Sequence, residues 1–357
     1  MQELHDAPLA ELTTMRVGGP ARRLVVAETI DEVVDTVREV DDADEPLLVV
    51  GGGSNLVIAD AGFPGTVLQV ATSGVEVESD DSCGGAMVRV AAGENWDDLV
   101  ARAVAEGWSG VEALSGIPGS TGATPVQNVG AYGQEVAQTI ARVRVLDRRT
   151  QEVRTFSNAD CAFTYRHSVF KASSRFVVLD VTFQLRVADR SQPIAYADLA
   201  KGLGVDVGAR VPLAEAREAV LEQRRRRGMV IDADDHDTWS CGSFFTNPIM
   251  SAARFDALAD RVRAELGDDA AEPPRFPDAS GDVKTSAAWL IDRAGFGKGF
   301  GMPGPAALST KHTLAVTNRG SATAADVAAL ARRVRDGVHD RFGVTLVNEP
   351  VFVGHEL

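Results

Sequence analysis

Residues 115–133 read SGIPGSTGATPVQNVGAYG, with five glycines and no charged side chain. Charged residues make up 24% of the 357-residue chain. A run this long without one is unlike a solvated loop, which normally carries polar and charged groups. Glycines at 116, 119, 122, 130 and 133 allow close backbone approach along its whole length. Such a stretch suits a large, flat, mostly apolar ligand held through backbone donors.

A second glycine cluster follows a strand. The apolar run 47–50 (LLVV) leads straight into Gly51-Gly52-Gly53-Ser54-Asn55-Leu56. Consecutive glycines let N–H groups converge on a concave site, and Ser and Asn add short donors. That arrangement suits a pyrophosphate without cations, although a plain tight turn would read the same way. The third glycine of GxGxxG is missing, so the dinucleotide fingerprint is not met. Gly297-Lys298-Gly299 lacks the hydroxyl of a P-loop, and neither GxSxG nor HExxH occurs.

Composition narrows the partners. With 36 Lys+Arg against 51 Asp+Glu, the net charge is −15. Nucleic acid and anionic membrane surfaces call for a basic face and are not expected. A hydrophobic content of 45% is enough for ordered domains. Cys83, Cys161 and Cys241 are far apart and form no CxxC, so neither a structural zinc nor a disulfide framework is expected. The N-terminus has no signal-peptide pattern, and no apolar run approaches 18 residues. A cytoplasmic location is expected.

The order of elements is mixed. Residues 23–27 read as a strand. Residues 29–40 read as a helix capped by Thr29, with Ile30, Val33, Val34 and Val37 on one face. Strands are expected over 74–91, 141–156 and 176–186, and helices over 95–106 and 211–227. The acidic stretch 228–236 reads as a linker. Beyond it, helices at 244–267, 287–294 and 324–342 alternate with a strand at 313–317. The acidic tracts 41–45 and 232–237 read as solvated surface.

Three further segments carry chemistry: Tyr165-Arg166-His167-Ser168-Val169-Phe170-Lys171, Cys241-Gly242-Ser243-Phe244-Phe245-Thr246-Asn247-Pro248, and Leu346-Val347-Asn348-Glu349-Pro350-Val351-Phe352. Each alone is most simply structural. Together with TTMRVGGPA (13–21), GGGSN, AAGENW (91–96) and the 115–133 stretch, in this order, the chain resembles the UDP-N-acetylenolpyruvoylglucosamine reductase (MurB) family nearly end to end.

The resemblance implies an α+β chain with the vanillyl-alcohol-oxidase/PCMH-like FAD-binding fold, in two α+β subdomains, plus a C-terminal α/β substrate-binding domain. The expected bounds are 1–73, 74–228 and 229–349, with 350–357 returning to the first. It implies reduction of UDP-N-acetylglucosamine enolpyruvate by NADPH through FAD. Arg166 would stabilise the developing enolate, Glu349 would assist the same centre, and Ser243 would donate the proton. FAD contacts are implied at Gly51, Gly52, Gly53, Ser54, Asn55, Leu56, Gly119, Ser120, Gly122, Gln127, Asn128, Gly130 and Ala131. Substrate contacts are implied at Tyr165, Tyr196, Asn247 and Lys284. The loop 193–199 (PIAYADL) is similar to the extra tyrosine-bearing loop of one class of the family. One of Arg224–Arg227 would reach the diphosphate, unless the run is a solvated helix end. No histidine falls in the FAD loops, so noncovalent FAD is expected, with no metal. NADPH and the UDP-sugar would share one cleft of a monomer. The alternatives are an alcohol or hydroxy-acid oxidase on the same fold, which has no need of the Ser243, Arg166 and Glu349 trio, and a non-catalytic nucleotide-sugar sensor.

Overall fold

The computed structural model describes every residue except Ala172, Asp268 and Ala279. The chain divides into two compact units. The first comprises Met1–Ala7, Pro20–Gly53 and Phe63–Val230; the second comprises Pro8–Gly19, Ser54–Gly62 and Ile231–Leu357.

Two larger sheets form the body of the first unit. In one, Phe63–Val70 lies between Pro20–Ala27 and Leu47–Val50 and runs parallel to both. Helix Ile30–Asp42 follows the first of these strands. The Thr29 hydroxyl accepts from Glu32 N at 3.2 Å, and the helix buries Val33, Val34 and Val37. The other sheet is antiparallel, in the order Glu152–Ser157, Ile140–Asp147, Phe176–Val187, Gly85–Ala91, Val75–Asp81. Helix Trp96–Ala105 starts at Asn95, whose side chain accepts from Asp97 N and Asp98 N. Val25, Val33, Leu68, Val88, Trp96 and Phe183 belong to one continuous core, so both sheets bury their apolar faces together.

The second unit gathers distant pieces of sequence. Leu56–Ile58 pairs in parallel with Val351–Val353, so the C-terminal segment joins residues of this unit. Ala306–Leu308 pairs with Val316–Asn318. Helices Ala252–Leu266, Ala287–Arg293 and Ala324–Phe342 pack around Phe244, Phe245, Leu290 and Val334. Thr323 and Asp326 form a capping box on the last helix, and the Asp60 carboxylate accepts from Ala324 N and Ala325 N at its start.

Mixed α+β architecture agrees with expectation, with three local corrections. The helix expected from 244 begins only at Ala252, capped by Ser251, because Phe245 pairs with Asn348 and Pro248 follows. The strand expected at 313–317 lies at Val316–Asn318, because the Ser309 hydroxyl draws Lys311 N and His312 N into a turn. The acidic tracts are not simply solvated. Asp237 is 4% exposed and accepts from Thr310 N and Arg319, while Asp41 takes the fork of Arg148.

Candidate functional site

In the first unit the two glycine clusters meet. A Cβ at Gly51 would fall well inside van der Waals distance of Ser120 Oγ, and one at Gly52 would lie 2.6 Å from Gly119 Cα. Gly53 has φ +57. These glycines therefore serve the approach of one loop to the other, a requirement that the pyrophosphate argument from sequence did not separate. Gly122 is fixed by its N–H on Ala92 O at 2.8 Å, where a side chain would strike Ala92. Beside these loops lies a cavity of about 200 Å³ lined by Val49, Gly51, Ala92, Ser120, Gly122 and Phe170, among others. Among the described residues, no charged side chain lines it. Small, neutral and apolar walls fit a flat isoalloxazine or adenine ring.

The rest of the 115–133 stretch is tied down rather than mobile. Asn128 is 1% exposed at φ +46. Its side-chain amide donates to Glu135 Oε2 and Thr164 O, and its Oδ1 accepts from Ala137 N. Gln127, Gly130 and Ala131 are half-buried, and Ala131 pairs with Gln134. Asp97 accepts from Gly116 N at 2.6 Å and from both Nη atoms of Arg217. Burial opposes ionisation of Asp97, but the Arg217 fork and the Gly116 N–H outweigh it and hold its pKa low.

Residues 164–167 form a tight turn closed by Thr164 N on His167 O, with Arg166 at φ +55. The Arg166 guanidinium donates to Gly130 O at 2.7 Å and stands 5.4 Å from the centre of the Tyr165 ring. Ser168 Oγ donates to Val126 O, and with the bonds of Arg166 to Gly130 O and of the Asn128 amide to Thr164 O it fastens this segment to the glycine-rich stretch. Tyr196 is 52% exposed and meets Tyr132 edge to face at 5.9 Å. Tyr132 was absent from the expected contacts; its place inside the glycine stretch was the available signal.

The basic helix Leu213–Arg226 and the residue after it give their arginines different partners. Arg225, Arg226 and Arg227 pair with Glu218, Glu222 and Asp198 on the surface. Arg224 turns inward instead, donating to Met229 O at 2.7 Å, with its Nε beside Gly116 and left without a partner among the described residues. Burial pushes its pKa down to about 10, against the pull of Tyr132 and Asp97, so it stays charged at neutral pH.

In the second unit, Ser243 and Glu349 occupy neighbouring segments. Glu349 N donates to Phe244 O at 2.9 Å, Phe245 bridges Asn348, and Thr246 N donates to Val347 O. Phe244 and Phe245 are buried and anchor the segment, while Ser243 and Glu349 are half-buried. Asn55 donates to Glu349 O, and Leu56 O accepts the Cys241 thiol. Burial, helped by the Glu349 charge, pushes that thiol up to about 12, so it is not a nucleophile. Asn247 Oδ1 accepts from Ala287 N at the start of helix Ala287–Arg293, and Lys284 pairs in a strand with Ile249. Ser54 is half-buried in the same unit.

Comparison with known proteins is consistent along the whole chain. Residues 234–353 match the model described as UDP-N-acetylenolpyruvoylglucosamine reductase, C-terminal domain, and residues 21–157 match an FAD binding domain. A UDP-N-acetylenolpyruvoylglucosamine reductase of Streptomyces coelicolor is 61% identical over 99% of this chain and 91% of the relative. One from Thermobifida fusca is 57% identical over 98% of this chain and 97% of the relative. The crystal structure of the corresponding reductase from Thermus caldophilus is similar at TM-score 0.64 and 25% identity, covering 99% of this chain and 98% of that one. The chain belongs to the UDP-N-acetylenolpyruvoylglucosamine reductase family.

Proposed function

We propose that this chain reduces UDP-N-acetylglucosamine enolpyruvate to UDP-N-acetylmuramate, with NADPH as the electron source and noncovalent FAD in the neutral glycine-lined groove. FAD, when bound, supplies the hydride chemistry. The observation that carries the reading is the pairing of the Ser243 and Glu349 segments by Glu349 N on Phe244 O, in a member of this family.

The chain's own residues have distinct tasks. Arg166 supplies a planar, permanently charged guanidinium, already oriented by Gly130 O, to an enolate developing beside the substrate carboxylate. Glu349 assists the same centre. Ser243 Oγ holds the proton that goes to the carbon next to the carboxylate; so basic an acceptor asks for position more than for an acidic hydroxyl. Gly51–Leu56 and Gly119–Ala131 contact the cofactor, mainly through backbone. Tyr165, Tyr196, Asn247 and Lys284 contact the UDP-sugar, and Arg224, whose Nε lacks a partner, serves the diphosphate. The bounds 1–73, 74–228 and 229–349 are kept as two cofactor subdomains and one substrate domain. The molecule works as a monomer in the cytoplasm, taking NADPH and the UDP-sugar in turn; among the described residues no helix is long and apolar enough to cross a membrane.

The test is anaerobic. NADPH should bleach the flavin spectrum, and the enolpyruvyl substrate should restore it. In Ser243→Ala, bleaching should stay within about twofold while product formation falls by about 10²–10⁴-fold. Equal loss in both half-reactions would remove the proton-donor role.

A further inference from the structure

Glu112 is a buried carboxylate with no part in the chemistry above. It is 2% exposed, on the short 3₁₀ turn Glu112–Leu114. One oxygen accepts from Gly110 N and the other from Gln192 N, both at 2.6 Å. A carboxylate fully engaged by two backbone donors is a charge-assisted joint, stronger than a neutral pair. Gln192 leads directly into the loop that carries Tyr196, and its side chain adds a bond to Ser109 Oγ at 3.0 Å. The next residue of the turn, Ala113, donates its N–H to Gln134 Oε1 at 2.8 Å. Gln134 pairs with Ala131 across the bend that holds Tyr132 and Gly133.

One turn therefore fixes two arms, and the arms meet. A Cβ at Gly133 would lie 2.7 Å from Ala195 Cβ, and Tyr132 and Tyr196 stack edge to face. The void between turn and loop is about 10 Å³, bounded by Glu112, Tyr132, Pro193 and Leu199 among others. It holds one water at most, so the joint has little slack.

We propose that Glu112 is a positioning residue: by clamping Gln192 N it sets the pose of Tyr196 against Tyr132, and through it the affinity for the UDP-sugar, without acting on cofactor reduction. This rests on the assignment of Tyr196 to the substrate.

The experiment uses the FAD-loaded full chain. Glu112→Gln keeps the size but turns an amide N–H₂ toward one of the two N–H donors. KM for UDP-N-acetylglucosamine enolpyruvate should rise about tenfold, as for loss of a charge-assisted hydrogen bond. The rate of flavin bleaching by NADPH should stay within about twofold. Tyr196→Ala on the Glu112→Gln background should add little to the increase, because both changes act on one contact. Should Glu112→Gln not fold, Glu112→Asp, which keeps the charge but shortens its reach to Gln192 N, decides: a raised KM with flavin bleaching unchanged supports the clamp, and an unchanged KM overturns it. Unchanged KM in folded Glu112→Gln, or KM effects that multiply with those of Tyr196→Ala, overturns the clamp alone. Unchanged KM in Tyr196→Ala itself overturns the assignment of Tyr196 to substrate, and the clamp with it.

Discussion

The side-chain amide of Asn55 donates to the backbone carbonyl of Glu349 at 3.2 Å, and the Asn55 carbonyl accepts from Val351 N at 2.9 Å. A residue of the glycine loop expected to serve the cofactor thus also fastens the segment that bears the carboxylate. Asn55→Ala removes the first of these bonds, at a cost of about 1 kcal/mol. It should slow flavin reoxidation by the enolpyruvyl substrate more than flavin reduction by NADPH. Stopped-flow measurement of both half-reactions checks this; equal slowing would return Asn55 to a purely cofactor-side role.

Gly51→Ala places a methyl against Ser120 Oγ. Overpacking against a neighbouring side chain in this way costs about 1–3 kcal/mol. The purified variant should carry less flavin per protein, read from the visible spectrum, and should melt at lower temperature. Adding Ser120→Ala removes the hydroxyl and should recover part of both losses.

Arg224→Met takes away a cation that burial already disfavours. Replacing such a charge with an apolar chain of similar length leaves stability unchanged or raised. KM for the UDP-sugar should nevertheless rise by about 10–100-fold, as expected for lost charge-assisted bonds to a diphosphate. Melting curves and steady-state kinetics together decide it, since a lowered melting temperature would point to a packing role instead.

Asp97 gives a pH signature. Its folded pKa is depressed below the ordinary aspartate value of about 3.9, despite burial, by Arg217 and Gly116 N. The unfolded chain therefore takes up this proton first as pH falls. The stabilisation is complete above roughly pH 4 to 5 and drains away as pH falls toward the folded value. Asp97→Asn should lower the urea midpoint at neutral pH and flatten its decline in acid. A slope in acid as steep as that of the unaltered protein would count against this role.

Local signals were the legible part of this fold. Thr29 announced its helix because a cap acts on a donor only three residues away, and Val33, Val34 and Val37 announced the buried face by spacing alone. The partners of short strands were not legible. Nothing within Leu56–Ile58 points to Val351–Val353, since a three-residue strand finds its neighbour through the whole unit. Asp237 shows the same limit: it looked solvated because Thr310 and Arg319, which make its burial tolerable, lie more than 70 residues away. Arg224 differs from its three basic neighbours only in facing Gly116, a matter of helix phase against a loop whose path no local pattern predicts.

The parallel pair Leu56–Ile58 with Val351–Val353 also sets a schedule for synthesis. The earlier strand leaves the ribosome about 290 residues before its neighbour. At roughly 5–20 residues per second, that is an interval of about 15–60 seconds. During it, the apolar residues Val57 and Ile58, both fully buried in the finished unit, wait without their final cover. The first unit, whose pieces all end by Val230, can close during this interval, while the second unit must wait for Val351–Val353 to complete its parallel pair.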